Sequence, residues 1–197
     1  MSEKPSSPHV PDASAHAVGD QAVDGHAVGD QAGGPRPDDT RMTLSGIMRA
    51  GDTNLLGTVH GGLVMKAVDE TAGAVAARFS KGGAVTASMD EMIFLSPVRV
   101  GDVLTVHAMV NWAGRSSMEV GVRVETTRWD VLAEPVHVAT AYLVMVAVDP
   151  DGRPRPVPQL RLETDLHRRR FAAAQIRREH RLRMREALRQ LRAQSEA

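Results

Sequence analysis

Regular alternation of apolar and polar positions marks the second half of the chain. In SMEVGVRVETTRW (117–129), a methionine and three valines alternate with charged residues or glycine. A period of two is typical of a strand with one buried face. VLTVHAMVNW (103–112) precedes this stretch, and VHVATAYLVMVAVD (136–149) follows it with apolar residues on both faces, as in a central strand. The pattern therefore predicts three consecutive strands.

The pattern before residue 100 predicts one long helix between strands. RMTLSGIM (41–48) indicates a short strand or turn, and GGLVMKAVDETAGAVAARFSK (61–81) indicates a helix of about five turns that ends at Gly82 and Gly83. AVTASMDEMIFL (84–95) predicts a further strand. Because the later strands follow one another without helices, we expect an α+β fold with one helix on an antiparallel sheet.

Small residues are frequent in the predicted helix, and Gly73 lies in its middle. A glycine inside a helix costs about 1 kcal/mol relative to alanine. Gly73 therefore predicts that another segment approaches the helix backbone closely. A strongly curved sheet wrapped around the helix would do so.

The two ends of the chain differ in composition from the middle. Residues 1–40 carry seven acidic residues against two basic ones, and they contain HAVGDQA at 16–22 and again at 26–32. Because this segment has little apolar surface to bury, we predict a disordered acidic tail over 1–40. The repeated histidines are ten residues apart; a metal site is possible there, but we interpret the pattern as a flexible duplication.

The C-terminal segment, 161–197, carries eleven arginines against five acidic residues. Its content of Ala, Arg, Leu, Glu and Gln predicts an Arg-rich helical extension. Leu182, Leu188 and Leu191 give this helix a weak apolar stripe. The sequence leaves open whether the helix docks on the domain or projects from it.

Composition excludes several classes of protein. The formal net charge is zero, which argues against nucleic acid as the main partner, and the absence of cysteine excludes disulfides and thiolate sites. The N-terminal MSEKPSSPHVPD lacks the apolar core of a signal peptide, and the apolar run AYLVMVAV (141–148) is too short to cross a bilayer. We expect a cytoplasmic protein with no stable membrane association.

Asp69 is the first candidate for chemistry. On the predicted helix its neighbours at helical spacing are Met65, Ala72, Gly73 and Ala76. A carboxylate among methyl groups is partly desolvated, which raises its pKa and makes it a usable general base. The open alternative is an aspartate at the border of the apolar face that reaches water.

The segment just before the helix supplies further candidates. Gly61 and Gly62 offer unpaired backbone N–H groups at the positive end of the helix dipole, which can hold negative charge developing on a carbonyl oxygen. A turn that needs positive φ is the alternative. His60 either orients a substrate or caps the turn. Asn54 is either a turn residue or a group that positions a water or a carbonyl.

Four stretches in order carry a resemblance to a known family: NLLGTVHGGLVMKAVDETAGAVAAR, VTASMDEMIFLSPVRVGD, GRSSMEV and DGRPRPVPQL. Over 41–160 the chain closely resembles the hotdog-fold acyl-CoA thioesterases, in particular the cytosolic, brain-type hydrolases and their bacterial counterparts. The resemblance implies a hotdog domain over 41–160. It also implies a homodimer with two equivalent sites at the interface, and a trimer of dimers.

The resemblance also implies the reaction and the roles. The activity is hydrolysis of an acyl-CoA thioester to a free acid and CoA, with Asp69 of one subunit and Asn54 of the other in the same site. Asp69 acts as general base or attacks directly to give an anhydride. Gly62 N–H, with Gly61 and His60, polarises the thioester carbonyl. No metal or redox cofactor is expected, and CoA is part of the substrate.

Two further stretches resemble the parts of the family that hold CoA. Thr86 and Ser88, in VTASMD, correspond to the strand along which the pantetheine arm lies. Arg115, Ser116 and Ser117, in GRSSM, correspond to the loop beside the phosphates, where a guanidinium and hydroxyl groups can bind phosphate. A hairpin turn with a solvated arginine is the alternative for the second stretch.

Other functions remain as alternatives. A non-catalytic acyl-CoA sensor of the same fold would have little use for Asp69 and Asn54. An acyl-CoA hydratase or dehydratase would need a histidine at suitable spacing after Asp69, and no histidine follows Asp69 at such a spacing. The Arg-rich C-terminus also suggests contact with nucleic acid or an anionic membrane. We expect instead a surface helix that aids assembly or lies near the CoA phosphates.

Overall fold

The computed structural model describes residues 33–90 and 92–195. Six strands and two long helices form the domain; they are β1 (Met42–Ile47), α1 (Gly61–Ser80), β2 (Ala84–Met89), β3 (Ile93–Phe94), β4 (Asp102–Ala113), β5 (Ser117–Arg128), β6 (Val136–Ala147) and α2 (Asp165–Ser195). The HAVGDQA repeat lies outside the described residues.

The sheet is antiparallel, as predicted. Its strand order is β1-β4-β5-β6-β2, and β3 pairs with Ala139 and Thr140 of β6. The three predicted strands of the second half are β4, β5 and β6, each twelve residues long. The single strand predicted over 84–95 is wrong: β2 ends at Met89 and β3 covers only Ile93 and Phe94.

Helix α1 packs on one face of this sheet through hydrocarbon side chains. Val64, Val68, Ala72, Val75 and Ala76, at helical spacing, are all 0–1% exposed. They contact the alternating apolar residues of the long strands, which belong to the same core; these include Val106, Val120 and Leu143. Burial of this face supplies the main stabilising free energy of the helix.

Two details of α1 differ from the sequence prediction. The helix ends with Lys81 in the left-handed conformation (φ 58°), and Gly82 N–H donates to the carbonyl of Ala77. Thus a lysine takes the position that we assigned to the following glycines. A side chain at Gly73 would meet no atom of the described chain within 4 Å, so the sheet of this protomer does not approach the helix there.

Helix α2 covers the opposite, outer face of the sheet. Its residues up to Leu182 include buried and half-buried positions, whereas residues 183–195 are all exposed. The helix therefore docks through its first half and projects through its second. Among the described residues, no helix is both long and apolar enough to span a membrane.

The start of the described chain also differs from the prediction of disorder over 1–40. Residues Pro37–Thr40 form a short 3-10 helix, and Thr40 is buried. The Thr40 hydroxyl donates to the carbonyl of Pro37 and accepts from Val110 N–H on β4. The second of these hydrogen bonds attaches the segment to β4 although the segment offers little apolar surface.

Candidate active site

Asp69 and Thr86 meet where helix α1 passes strand β2. The Thr86 hydroxyl donates a hydrogen bond of 2.6 Å to Asp69 Oδ1. The Asp69 side chain is exposed, so the predicted desolvation is wrong for the single chain. The reason is its place at the edge of the buried helix face: Val68 and Ala72 point into the core, while neighbouring Met65 is itself exposed.

No strong cation neutralises this carboxylate within the described chain. The nearest lysine on the helix, Lys66, instead forms an ion pair of 2.5 Å with Glu70. Asp69 thus accepts one hydrogen bond from a neutral hydroxyl, and its second oxygen makes no hydrogen bond with the described residues. A carboxylate in this state can accept a proton from water or act as a nucleophile.

The loop before α1 is organised by Asn54. Its Nδ2 donates to Thr58 Oγ1 (3.0 Å), and its Oδ1 accepts from Leu56 N–H (2.9 Å). The loop turns at Gly57, which has a φ of +75° and for that reason favours glycine. Asn54 therefore acts as the predicted turn residue, and its amide retains one N–H for another partner.

His60 caps helix α1. Its Nδ1 accepts a hydrogen bond of 3.0 Å from Gly62 N–H. This contact uses the amide that we predicted to polarise a carbonyl, so the assignment of Gly62 as a free donor is wrong for the single chain. Gly61 N–H has no hydrogen-bond partner among the described residues, and it remains available at the helix start.

A small pocket opens beside this helix start. Its volume is about 360 Å³, and it is lined by Gly61, Val64 and the β3 region; the other lining residues are Thr58, Val59, Phe94, Leu95, Ser96, Pro97 and Val98. A larger cleft of about 450 Å³ lies between α2 and the outer face of the sheet. That cleft faces away from Asp69, so of these two cavities the smaller one adjoins the candidate residues.

The candidate residues of one chain do not converge on a single atom. Gly61 and Asp69 are eight positions apart on a straight helix, which corresponds to about 12 Å along its axis. A thioester carbonyl in contact with Gly61 N–H would therefore be out of reach of the same chain's Asp69.

The residues predicted to hold CoA differ in accessibility. Arg115 is exposed, as a phosphate ligand must be. Ser116 and Ser117 are each only 3% exposed in the single chain, and their role as donors to a CoA phosphate stays a prediction. The Ser88 hydroxyl is buried and makes no hydrogen bond with the described residues, and the Thr86 hydroxyl is directed to Asp69.

Sequence reasoning missed the bond between Thr86 and Asp69. The two residues are seventeen positions apart, on a helix and on the strand after it, and no local pattern reports such a contact. The threonine itself was identified, but as a contact for the pantetheine arm. In the structure Thr86 instead contacts Asp69, because α1 packs across β2.

Comparison with known proteins settles the family. The model of the thioesterase superfamily matches residues 56–128. The acyl-CoA thioester hydrolase YciA of Salmonella typhimurium is 36% identical over 121 residues, which cover 59% of this chain and 90% of that protein. This chain belongs to the thioesterase superfamily. The cytosolic acyl coenzyme A thioester hydrolase of Mus musculus is also 36% identical, over 148 residues that cover 70% of this chain. This chain spans only 37% of the mouse protein's length.

Solved structures of the superfamily show the same architecture, and the fold is the predicted hotdog. An acyl-CoA hydrolase from Staphylococcus aureus, in complex with butyryl-CoA and CoA, has a TM-score of 0.72 and 34% identity, covering 79% of this chain and 94% of that one. An apo-hexameric acyl-CoA thioesterase has a TM-score of 0.72 and 36% identity, covering 78% and 97%. Alanine variants of one aspartate, one threonine and one asparagine of the S. aureus enzyme have also been solved.

Proposed function

We propose that this chain hydrolyses acyl-CoA thioesters to free carboxylic acids and CoA. The observation that carries the proposal is the hydrogen bond from Thr86 to an otherwise open Asp69 carboxylate. In the S. aureus enzyme, the asparagine and the aspartate that were changed to alanine are fifteen positions apart, and the threonine follows seventeen positions later. Asn54, Asp69 and Thr86 have the same spacing in this chain.

Asp69 supplies the chemistry in this proposal. Because Thr86 donates to Oδ1, the other oxygen, Oδ2, is free to take a proton from water. The water oxygen bonds to the thioester carbon, the C–S bond breaks, and the sulfur of CoA leaves with a proton returned by Asp69. In the alternative route Oδ2 attacks the same carbon, the C–S bond breaks and CoA leaves as the thiolate, and water then hydrolyses the anhydride; this route uses the same geometry. Neither route needs a metal or redox cofactor.

The proposed site lies between two copies of the chain. One copy supplies Gly61 N–H and the second N–H of the Asn54 amide. The other copy supplies Asp69, because Asp69 of the first copy is too far from its own Gly61. Strand β2 is an edge of the sheet and carries the exposed Val85, so it offers unpaired backbone groups to a second β2. We therefore propose a homodimer, and a hexamer of three such dimers. The apo-hexameric acyl-CoA thioesterase of similar structure supports this assembly.

The remaining parts of the substrate have places of suitable chemistry. The apolar pocket beside Gly61 fits the first carbons of an acyl chain. The exposed Arg115 guanidinium fits a CoA phosphate, as the sequence predicted. Because the mouse relative is named a cytosolic enzyme, we also propose the cytoplasm as the site of action.

Release of free thiol from a panel of acyl-CoAs of different chain length tests the proposal. We expect wild-type protein to release CoA and Asp69→Ala to lose at least about 100-fold in rate, since general acid–base catalysis contributes this much. Glu70→Gln is the matched control: it removes the adjacent carboxylate, which pairs with Lys66, and keeps the rate. Binding of acyl-CoA without thiol release across the panel would favour the sensor. A wild-type rate for Asp69→Ala would overturn the site.

A further inference from the structure

Strand β2, which carries Thr86, is weakly fixed by the sheet alone. It has six residues, lies at an edge, and among the strands of the described part of the chain pairs only with β6. Its register shifts between Thr86, which faces Met145, and Ser88, which faces Val144. Since such a bulge interrupts the ladder of hydrogen bonds, the position of the strand depends on what holds its far end.

Asp90 holds that end. It directly follows Met89, the last residue of β2, and its N–H donates to the carbonyl of Tyr142 on β6 (2.8 Å). Its carboxylate Oδ2 accepts a hydrogen bond of 2.5 Å from Arg181 Nη1 on helix α2. The side chains are only 18% and 16% exposed, so water screens this ion pair much less than a surface pair.

Helix α2 is itself fixed at this place by a second arginine, one turn earlier. Arg177 donates to both oxygens of Glu119 on β5, at 2.6 and 3.1 Å. Its guanidinium also lies 3.5 Å from the centre of the Tyr142 ring. Glu119 is 1% exposed and lies 3.7 Å from Arg181 as well. The two arginines thus connect β5, β6 and the end of β2 through one helix.

We propose that Arg181 is a positioning residue for the active site. Its ion pair with Asp90 fixes the position of β2 beyond the bulge. The strand in turn keeps the Thr86 hydroxyl within hydrogen-bond distance of Asp69. The inference rests on the proposed function. It extends that function by giving the C-terminal helix, which lies outside the residues matched by the superfamily model, a part in catalytic geometry.

Amide hydrogen exchange and steady-state kinetics of four variants test this role. Arg181→Ala and Asp90→Asn each break the ion pair, Arg181→Lys keeps a cation, and Arg185→Ala removes an exposed arginine one turn later as the control. We expect faster exchange at residues 84–90 and about a 10-fold lower kcat in the first two variants, with KM within about twofold, because a misplaced catalytic contact affects the chemical step. Arg181→Lys restores most of kcat, and Arg185→Ala matches wild type.

The double variant Arg181→Ala with Asp90→Asn is no worse than Arg181→Ala alone, because Arg181→Ala already removes the contact with Asp90. If Arg181→Ala fails to fold, Asp90→Asn decides, since it leaves both arginines on Glu119. Unchanged exchange and kcat in Asp90→Asn overturn the inference and leave the proposed function intact. A wild-type protein that hydrolyses no acyl-CoA overturns the proposed function, and the exchange rates then decide whether Arg181 fixes β2.

Discussion

Two carboxylates on opposite faces of one sheet have opposite surroundings. Asp69, at the edge of the α1 face, is exposed and accepts one hydrogen bond from the neutral Thr86 hydroxyl. Glu119, on the α2 face, is 1% exposed and is held by Arg177, with Arg181 nearby. Asp69 therefore has access to solvent and an oxygen without a partner among the described residues, and Glu119 has neither.

The two carboxylates differ in their surroundings because they serve different purposes. A buried carboxylate loses its hydration, and only close cations and hydrogen bonds offset that loss, so Glu119 serves to attach a helix. A carboxylate that takes a proton from water must keep a free lone pair and access, so Asp69 lacks such partners. The helices differ in the same way. Helix α1 buries valines and alanines, whereas α2 buries only His167 and Ala174 and adds ion pairs from Arg177 and Arg181.

Removal of Arg177, the cation that pairs with the buried Glu119, has the largest expected effect, and this effect is on stability. In Arg177→Ala, Glu119 stays buried with only Arg181 at 3.7 Å and Asn111 at 3.4 Å. We expect the free energy of unfolding to fall by about 3 kcal/mol, because a buried charge is left without its partner. Urea denaturation followed by circular dichroism measures the change.

Arg185→Ala is the control for charge and helix propensity, because Arg185 is exposed on the same helix. Its stability should stay within about 0.5 kcal/mol of wild type. An Arg177→Ala protein as stable as this control would show that Glu119 reaches water or is protonated at little cost. The contrast between the two carboxylates would then fail.

Removal of the donor on the exposed side has a smaller effect, on activity rather than stability. Thr86→Val keeps the shape of the side chain and deletes the hydroxyl that donates to Asp69. We expect kcat/KM for acyl-CoA to fall about tenfold, equivalent to about 1.4 kcal/mol, since a hydrogen bond to a charged group contributes an amount of this order. Stability changes little because Thr86 is exposed.

Thr86→Ser provides the matched control, because it retains a hydroxyl on the same strand. We expect it to keep most of the activity that Thr86→Val loses. Equal activity in wild type and the valine variant would mean that Asp69 needs no donor from β2.

The sequence predicted those parts of the molecule that repeat regularly. Alternation over 103–149 gave β4, β5 and β6 to within two residues, and the Ala- and Val-rich period of 61–81 gave α1. These patterns are strong because each long element buries a whole face. The break between Met89 and Ile93 was missed, since a bulged edge strand followed by a two-residue strand leaves no periodic signal.

The candidate site could be predicted only as a set of residues. Asp69, Asn54 and Thr86 were identified, but exposure and partners depend on packing between segments far apart in sequence. Gly62 illustrates this limit: its amide donates to His60 Nδ1, a cap that the residue types permit but do not require. The buried Glu119 was not identified, because alternation placed it among solvent-facing residues before α2 was known to cover them.

A third carboxylate lies between these extremes and gives the smallest expected effect. Asp38, about half exposed, accepts a hydrogen bond of 2.9 Å from Nε2 of the buried His167 on α2. This hydrogen bond lowers the pKa of Asp38 below its ordinary value of 3.8. A carboxyl with a lower pKa in the folded state stabilises the protein above its unfolded pKa, and this contribution is lost as the pH falls through the folded pKa.

We therefore compare the free energies of unfolding of wild type and Asp38→Asn at pH 5 and at pH 3. Wild type should be more stable at pH 5, by less than about 1 kcal/mol because solvent screens a half-exposed pair, and the difference should shrink at pH 3. Asp151→Asn, on an exposed loop, controls for the loss of a surface charge. A difference that grows as the pH falls would mean that Asp38 is stabilised in its protonated form.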